Sequence, residues 1–96
     1  VLDQHRDRVW HVHFKDCDRN VAAAAREQGL GYLAAVRKQL FCELGSGAVD
    51  FAAIIRALKN TSYDGWIVVE QDVFPGYGTP KQSAHKSREY LRSLGV

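Results

Sequence analysis

Cysteine is scarce in this sequence: of its 96 residues only Cys17 and Cys42 are cysteines, and they form no C-x-x-C spacing. A disulfide framework and a structural zinc site are therefore not expected, and both thiols should be reduced. Long apolar runs are also missing, which argues against a membrane span, and the first residues lack the basic start and the apolar stretch of a signal peptide. These absences predict a cytoplasmic protein without a membrane partner.

An excess of charge of one sign is missing as well. Thirteen Lys and Arg residues stand against eleven Asp and Glu, a formal net charge of +2, and they are scattered along the chain. Without a basic stripe, nucleic acid is not an expected partner. What is present is the composition of an ordinary globular protein, 46% apolar and 25% charged. The length allows one domain with a modest core.

Two segments have the pattern of β-strands. Val9–Lys15 alternates, with Trp10, Val12 and Phe14 on one face, and that apolar face is predicted to meet helices. Trp66–Glu70 is a β-branched run, which is typical of a strand covered on both faces. Because the connection between them is far too long for a hairpin, the two strands are predicted to be parallel.

Helical segments are predicted between and after these strands. Asn20 is the expected cap of a first helix that ends before Gly29, and a second helix is expected over 32–40. After a tight turn at 44–47, Asp50 is expected to cap a third helix over 51–58, and Thr79 with Pro80 opens the last one. Its expected buried seam consists of Ala84, Ser87, Leu91 and Leu94. This alternation of strands and helices predicts an α/β fold built from parallel βα units.

Polar side chains collect where the two strands end. His13, Lys15 and Asp16 close the first strand, and Glu70, Gln71 and Asp72 close the second. In parallel α/β folds, ligands bind at the carboxyl ends of the strands. An imidazole and a carboxylate from neighbouring strands suit a divalent cation such as Mn²⁺, Co²⁺ or Mg²⁺, with Zn²⁺ as a further candidate. The competing interpretation is that His11 and His13 are interior histidines and Glu70 is a solvated strand end.

Three motifs carry a family resemblance: HVHFKD, LGSGAVDF and YDGWIVVEQD. In this order and at these intervals they resemble the C-terminal part of the sugar phosphate isomerase/epimerase superfamily, the xylose isomerase-like TIM barrels that include inosose dehydratases and ketose 3-epimerases. The resemblance covers Arg8 to Val96. It implies that residues 1–96 form a single partial domain, the C-terminal βα units of an incomplete (β/α)₈ barrel.

The resemblance also implies roles for individual residues. His13 and Glu70 would be metal ligands, and the remaining ligands, a glutamate and an aspartate on earlier strands, have no candidates in this chain. Arg19 stands six residues after His13, the interval of a substrate-binding arginine in ketose epimerases, although a solvated loop charge is the alternative. Lys15 and Asp16 differ from the epimerase pattern and match the H-x-H-x-K-D pattern of the inosose-dehydratase-like branch, so both are expected to bind substrate.

His11 is the remaining candidate of the H-x-H pair. It lies about 6.6 Å further back along the strand than His13, so it is expected to support the ligand or the substrate rather than to hold the metal.

The implied reaction is metal-dependent and acts on a ketose or an inosose. A divalent ion would acidify the carbon next to the carbonyl by stabilising an enediolate, and Glu70 would act as the catalytic base. Return of the proton gives isomerisation or epimerisation, whereas loss of a β-hydroxyl gives dehydration. The sequence leaves this choice open.

Two other interpretations stay open. The chain could be a non-catalytic fragment or an accessory subunit that keeps the strand-end residues by descent. Endonuclease IV-like DNA repair enzymes resemble it less, because they place an Asp-x-His pair in the next loop and residues 20–47 contain no histidine. Since a TIM barrel has eight strands, the isolated chain is expected to be inactive. It is also expected to associate, as an oligomer or with the missing part of the barrel, through its unpaired strand edges.

Overall fold

The computed structural model describes every residue from Val1 to Val96. The chain contains both helices and strands, as the sequence predicts. None of the helices has the length and apolar character needed to cross a membrane. In chain order the elements are α1 (Leu2–His5), a 3₁₀ turn (Arg6–Arg8), β1 (Val12–Phe14), β2 (Asp16–Cys17), α2 (Arg19–Glu27), α3 (Tyr32–Arg37), β3 (Phe41–Cys42), α4 (Phe51–Lys59), β4 (Ile67–Val69) and α5 (Pro80–Ser93).

Strands β1 and β4 form a parallel pair, which confirms the orientation predicted for them. Val12 lies opposite Ile67 and Phe14 lies opposite Val69. The backbone N–H of Glu70 continues the ladder by donating to the carbonyl of Phe14 at 2.9 Å. Both strands are shorter than predicted, with three residues each. The register sets the last residues of the two strands side by side.

The apolar face of the first strand packs against the core through Val12 and Phe14. Phe14 is 3% exposed and its ring packs against Phe51 of α4, with 4.9 Å between ring centres. Trp10, predicted to lie on the same covered face, is 87% exposed. That prediction was wrong for Trp10, which lies before the first residue of β1 and outside the core cluster.

A small antiparallel ribbon, β2 with β3, was not predicted. Asp16 pairs with Cys42, Cys17 pairs with Phe41, and the N–H of Asp18 donates to the carbonyl of Leu40 at 2.8 Å. Two-residue strands are too short to show alternation in a sequence. The ribbon extends past the end of β1 and returns the α2–α3 segment to the same end of the parallel pair.

The predicted helices form, with some differences at their ends. Helix α2 is capped by Asp18 rather than by Asn20: the Asp18 carboxylate accepts the N–H groups of Asn20 and of the following residue. The helix begins two residues earlier than predicted because Asp18 already has the extended backbone of a cap. Gly29 follows the helix with φ +61°, the left-handed conformation expected of it. Helix α3 ends at Arg37, before the predicted residue 40.

Helices α4 and α5 supply most of the core. Asp50 caps α4 as predicted, accepting the N–H of Ala53 at 2.9 Å. The buried seam of α5 begins at Ser83 rather than at Ala84, which is exposed, because Ser83 contacts Glu43 and Ser87 receives the Leu44 N–H. The core cluster consists of Phe14, Leu44, Phe51, Ile55, Leu58 and Leu91.

Candidate functional site

Five polar side chains meet at the carboxyl ends of β1 and β4. We call them the strand-end cluster: His11, His13, Lys15, Glu70 and Asp72. The parallel register explains why these side chains meet. His13 lies opposite Val68, so Lys15 and Glu70, each two positions further along its own strand, point to the same side of the strand pair. The predicted convergence of the two strand ends is therefore present.

Lys15 is the centre of this cluster. Its Nζ lies 2.7 Å from Oε1 of Glu70 and 2.8 Å from Oδ2 of Asp72. The same ammonium lies 4.0 Å from the centre of the Phe41 ring, a cation–π contact with the β2–β3 ribbon. With 22% of its side chain exposed, Lys15 is held from three directions and joins β1, the ribbon and the loop after β4.

The charges of the cluster shift one another's pKa values. Desolvation acts to lower the pKa of Lys15, but hydrogen bonds to Asp72 and Glu70 and their negative charges outweigh it and raise the pKa. The Lys15 hydrogen bond, followed by that of His13, lowers the pKa of Glu70. The Lys15 hydrogen bond also lowers the pKa of Asp72, against desolvation. All three groups are therefore charged at neutral pH.

The two histidine side chains contact each other beside Oε2 of Glu70, the oxygen that Lys15 does not bond. Nδ1 of His13 lies 3.5 Å from Oε2 of Glu70, and its Nε2 lies 2.9 Å from Nε2 of His11. The second contact requires one ring nitrogen to carry a hydrogen and the other to be bare. Both imidazoles are exposed in this chain rather than packed in a core. His11 thus contacts His13 from one layer further back along the strand, and the role predicted for His11 stays a prediction.

The His13 and Glu70 atoms are spaced as two ligands of one cation can be. With metal–ligand bonds of about 2.1 Å, neighbouring ligands of a tetrahedral site lie roughly 3.4 Å apart, close to the 3.5 Å between Nδ1 and Oε2. The other oxygen, Oε1, is occupied by Lys15. No group of three or more His, Cys, Asp or Glu side chains is arranged to hold a metal within the chain. These residues fit part of a metal site.

Asp16 does not join the cluster. Its side chain is fully buried, and its carboxylate accepts four backbone N–H groups at 2.9–3.1 Å, from Cys17, Gly45, Gly47 and Val49. The substrate contact predicted for Asp16 needs an accessible oxygen, and this position provides none. The reason is the alternation of the chain: Lys15 faces the cluster, so Asp16 faces the opposite way. Through these hydrogen bonds, the Asp16 side chain holds the 45–49 loop against β2.

Arg19 also lies apart from the cluster. It is the first residue of α2, its side chain is exposed, and it makes no ion pair with Glu70 or Asp72. The substrate contact predicted for Arg19 therefore stays a prediction.

Two residues of the site were given no role from the sequence. Asp72 shares the Lys15 ammonium with Glu70, and Tyr32 donates its hydroxyl to Oδ2 of Asp72 at 3.2 Å. Asp72 was predicted to lie at the end of the second strand, but its pairing with Lys15 was not predicted. Tyr32 gave no signal in the sequence, because it reaches the site only through the return of α3 along the ribbon, where its ring lies 6.1 Å from that of Phe41.

The family follows from comparison with known proteins. A family model described as the xylose isomerase-like TIM barrel matches residues 2–94. The chain belongs to this family. Its mixed α/β structure has one parallel strand pair and no closed barrel, as in an incomplete xylose isomerase-like barrel, so the predicted fold class is confirmed.

Its relatives in this family include several proteins named inosose dehydratase. The chain is 39% identical over 92 residues to that of Geobacillus thermodenitrificans (strain NG80-2), which covers 96% of this chain and 31% of the relative. It is 35% identical over 91 residues to that of Lacticaseibacillus casei, covering 95% of this chain and 30% of the relative. The chain therefore spans about a third of the length of the curated relatives it matches. No solved structure matches it.

Proposed function

We propose that these residues supply two βα units of a metal-dependent sugar-processing enzyme that acts on a ketose or an inosose, with dehydration of an inosose as the favoured reaction. The observation that carries the proposal is the convergence of His13 and Glu70 at adjacent strand ends. The names of the relatives favour inosose dehydration over isomerisation or epimerisation. The enzyme is the complete barrel, meaning a polypeptide in which these residues are joined to the other barrel strands.

The proposed cofactor is a divalent ion: Mn²⁺, Co²⁺, Mg²⁺ or Zn²⁺. His13 and Glu70 would hold it together with ligands from the other strands, and their 3.5 Å separation supports this role. A bound ion supplies stabilisation for the negative charge that develops on the carbonyl oxygen.

Glu70 is the proposed catalytic base. Its lowered pKa keeps the carboxylate ionised and able to accept a proton from the carbon next to the substrate carbonyl. The C–H electron pair then forms an enediolate. In dehydration, the β-carbon–oxygen bond breaks next, and its hydroxyl leaves as water with the proton taken from carbon. A lowered pKa also makes Glu70 a weaker base, so the reaction depends on acidification of the C–H bond.

Lys15 and His11 have supporting roles in this proposal. Lys15 holds Oε1 of Glu70, which leaves Oε2 toward His13, and its ammonium stabilises negative charge on a substrate oxygen. His11 fixes the ring of His13 through the 2.9 Å contact between their nitrogens. Arg19 is proposed to bind substrate at the start of α2.

The proposal is tested by assaying the complete barrel with Mn²⁺ on an inosose and on simple ketoses. Dehydrated inosose is the expected product, and an epimerised ketose would favour the second reaction type. Chelation should abolish turnover and added Mn²⁺ should restore it. Turnover that survives chelation would contradict the metal dependence. No turnover of any of these substrates would favour a non-catalytic role.

A further inference from the structure

A closed set of contacts surrounds the ammonium of Lys15. The ammonium lies 2.8 Å from Oδ2 of Asp72, and the Tyr32 hydroxyl donates to the same oxygen at 3.2 Å. The Tyr32 ring lies 6.1 Å from the ring of Phe41, and the centre of the Phe41 ring is 4.0 Å from the ammonium. We call Tyr32, Phe41 and Asp72 the Lys15 anchor. It connects α3, β3 and the loop after β4 to the lysine that bonds Glu70.

Asp72 supplies a second fixed point for this lysine. The Lys15 ammonium has two carboxylate partners, Oε1 of Glu70 at 2.7 Å and Oδ2 of Asp72 at 2.8 Å. Only Glu70 belongs to the reacting centre of the proposed function. A lysine carries its charge on a flexible four-carbon stem, so a single contact with Glu70 would leave the ammonium free to swing. Two carboxylates on opposite partners fix where it lies.

Tyr32 orients the carboxylate of Asp72. This residue lies in the loop after β4, and 38% of its side chain is exposed. Its Oδ2 accepts from Lys15 and from Tyr32, and its carboxylate makes no other hydrogen bond in the chain. Tyr32 is therefore the one residue besides Lys15 that bonds this carboxylate. The hydroxyl of Tyr32, in turn, has Asp72 as its only hydrogen-bond partner.

The alternative is that these contacts only stabilise the fold. Tyr32 is 61% exposed, and Asp72 is more than one-third exposed. Ion pairs and hydrogen bonds at such positions add little to the free energy of unfolding, because water competes for both partners and salt screens the charges. Position is more sensitive, since a displacement of about 1 Å in an active site can slow a reaction about 10²-fold. These contacts therefore matter more for position than for stability.

We propose that Asp72 is a positioning residue for the reacting centre and that Tyr32 acts through Asp72. Tyr32 orients the Asp72 carboxylate, and Asp72 fixes the ammonium of Lys15. That ammonium holds Oε1 of Glu70 and leaves Oε2 toward His13. When Glu70 accepts a proton and loses its charge, Asp72 still holds the ammonium in place. The inference rests on the proposed function, to which it adds two residues that touch no reacting atom.

Kinetics of the complete barrel with Mn²⁺ and an inosose test this chain of contacts. Asp72→Ala should lower kcat about tenfold and Tyr32→Phe about fivefold, with KM changed by less than about twofold, because position is lost and substrate contacts are kept. Since Tyr32 acts through Asp72, the double variant should be no slower than Asp72→Ala alone. Independent effects would instead multiply to about fiftyfold.

The control for these kinetics is Tyr90→Phe, which removes a hydroxyl that makes no hydrogen bond in this chain and should keep the wild-type kcat. Circular dichroism would check the folding of each variant. Multiplied losses in the double variant would overturn the link between Tyr32 and Asp72. Unchanged kcat in Asp72→Ala would overturn the positioning role, and so would a raised KM with unchanged kcat, which would indicate a direct substrate contact.

The ammonium of Lys15 gives a second measurement that needs no turnover. In the complete barrel with ¹⁵N-labelled lysine, NMR would follow exchange of the ammonium hydrogens with water, and Lys15→Met would identify the signal. Tyr32→Phe and Asp72→Ala should each speed this exchange, and Tyr90→Phe should not. Unchanged exchange in both would overturn the inference. Faster exchange in both variants of a barrel without inosose turnover would keep the positioning of Lys15 and reject the proposed function.

Discussion

The ammonium of Lys15 lies 2.7 Å from Oε1 of Glu70, and this contact joins two strands whose residues are 55 positions apart in the sequence. It holds one oxygen of Glu70 and leaves the other, Oε2, 3.5 Å from His13. The two oxygens of one carboxylate thus have different neighbours, a permanent cation on one side and an imidazole on the other. This asymmetry is the basis for the roles proposed for Glu70.

Glu70→Gln should lower turnover by the complete barrel by about 10²–10⁴-fold, the usual contribution of a positioned acid–base group. The amide keeps the shape of the side chain but cannot accept the proton. Steady-state kinetics with inosose measures the effect. Glu89→Gln, an exposed change on α5, is the matched control and should keep full activity. Wild-type turnover by the Glu70 variant would refute the catalytic role.

Lys15→Met should raise the pKa values of Glu70 and Asp72 toward their ordinary values of 4.5 and 3.8. In the wild type both pKa values are lowered. The ion pairs therefore stabilise the fold at pH values above the ordinary pKa values, and this stabilisation is lost as the pH falls through the lowered pKa values. In the variant, the free energy of unfolding should therefore decrease less over this acidic pH range. NMR titration of the carboxyl carbons would measure both pKa values.

The control for this titration is Lys81→Met, which removes an exposed lysine of α5. It should leave both carboxyl pKa values unchanged. If Lys15→Met left them unchanged as well, the ion pairs seen in the structure would not control the charge of the site.

Asp16→Ala should act on stability. The change leaves four backbone N–H groups without their buried acceptor, and each unsatisfied donor costs about 1–3 kcal/mol. A decrease of at least about 3 kcal/mol in the free energy of unfolding is expected, measured with urea. Asp64→Ala, in an exposed turn, is the control. A stable Asp16→Ala variant that loses only substrate affinity would support the substrate contact first predicted.

Gly47→Ala should destabilise the same loop. A Cβ at this position would collide with the Asp16 carboxylate and with the carbonyl of Cys17, so the loop would have to move away from its anchor. Gly31→Ala, where a Cβ meets nothing nearby, is the matched control and should unfold like the wild type. Equal urea midpoints for the two variants would contradict the tight Asp16 anchor.

The isolated chain should associate. Trp10 and Trp66 are both more than four-fifths exposed, and β1 and β4 each have one unpaired edge, which together favour pairing with another chain or with the rest of the barrel. Sedimentation should detect oligomers, and Trp66→Lys should shift them toward monomer. A monomeric chain that unfolds cooperatively and has full activity would contradict both the association and the barrel assignment.

The sequence alone determined the elements that have strong local signals. Alternation around Val12 and the β-branched run before Glu70 marked the two parallel strands, because side chains on a strand alternate between its faces whatever lies beyond it. Asp50 and Thr79 marked helix starts, since a cap bonds N–H groups only a few residues away. His13 and Glu70 could be brought together because parallel strands end at the same edge.

Only the tertiary structure decided what each polar side chain does there. Lys15 and Asp16 are neighbours in the sequence, yet one joins the open cluster and the other is buried in a loop anchor. Tyr32 and Asp72 meet across 40 residues, through a ribbon too short to leave a periodic signal. A local sequence pattern indicates the face of the strand or helix on which a residue lies. The partner it finds there depends on long-range packing, which the pattern does not contain.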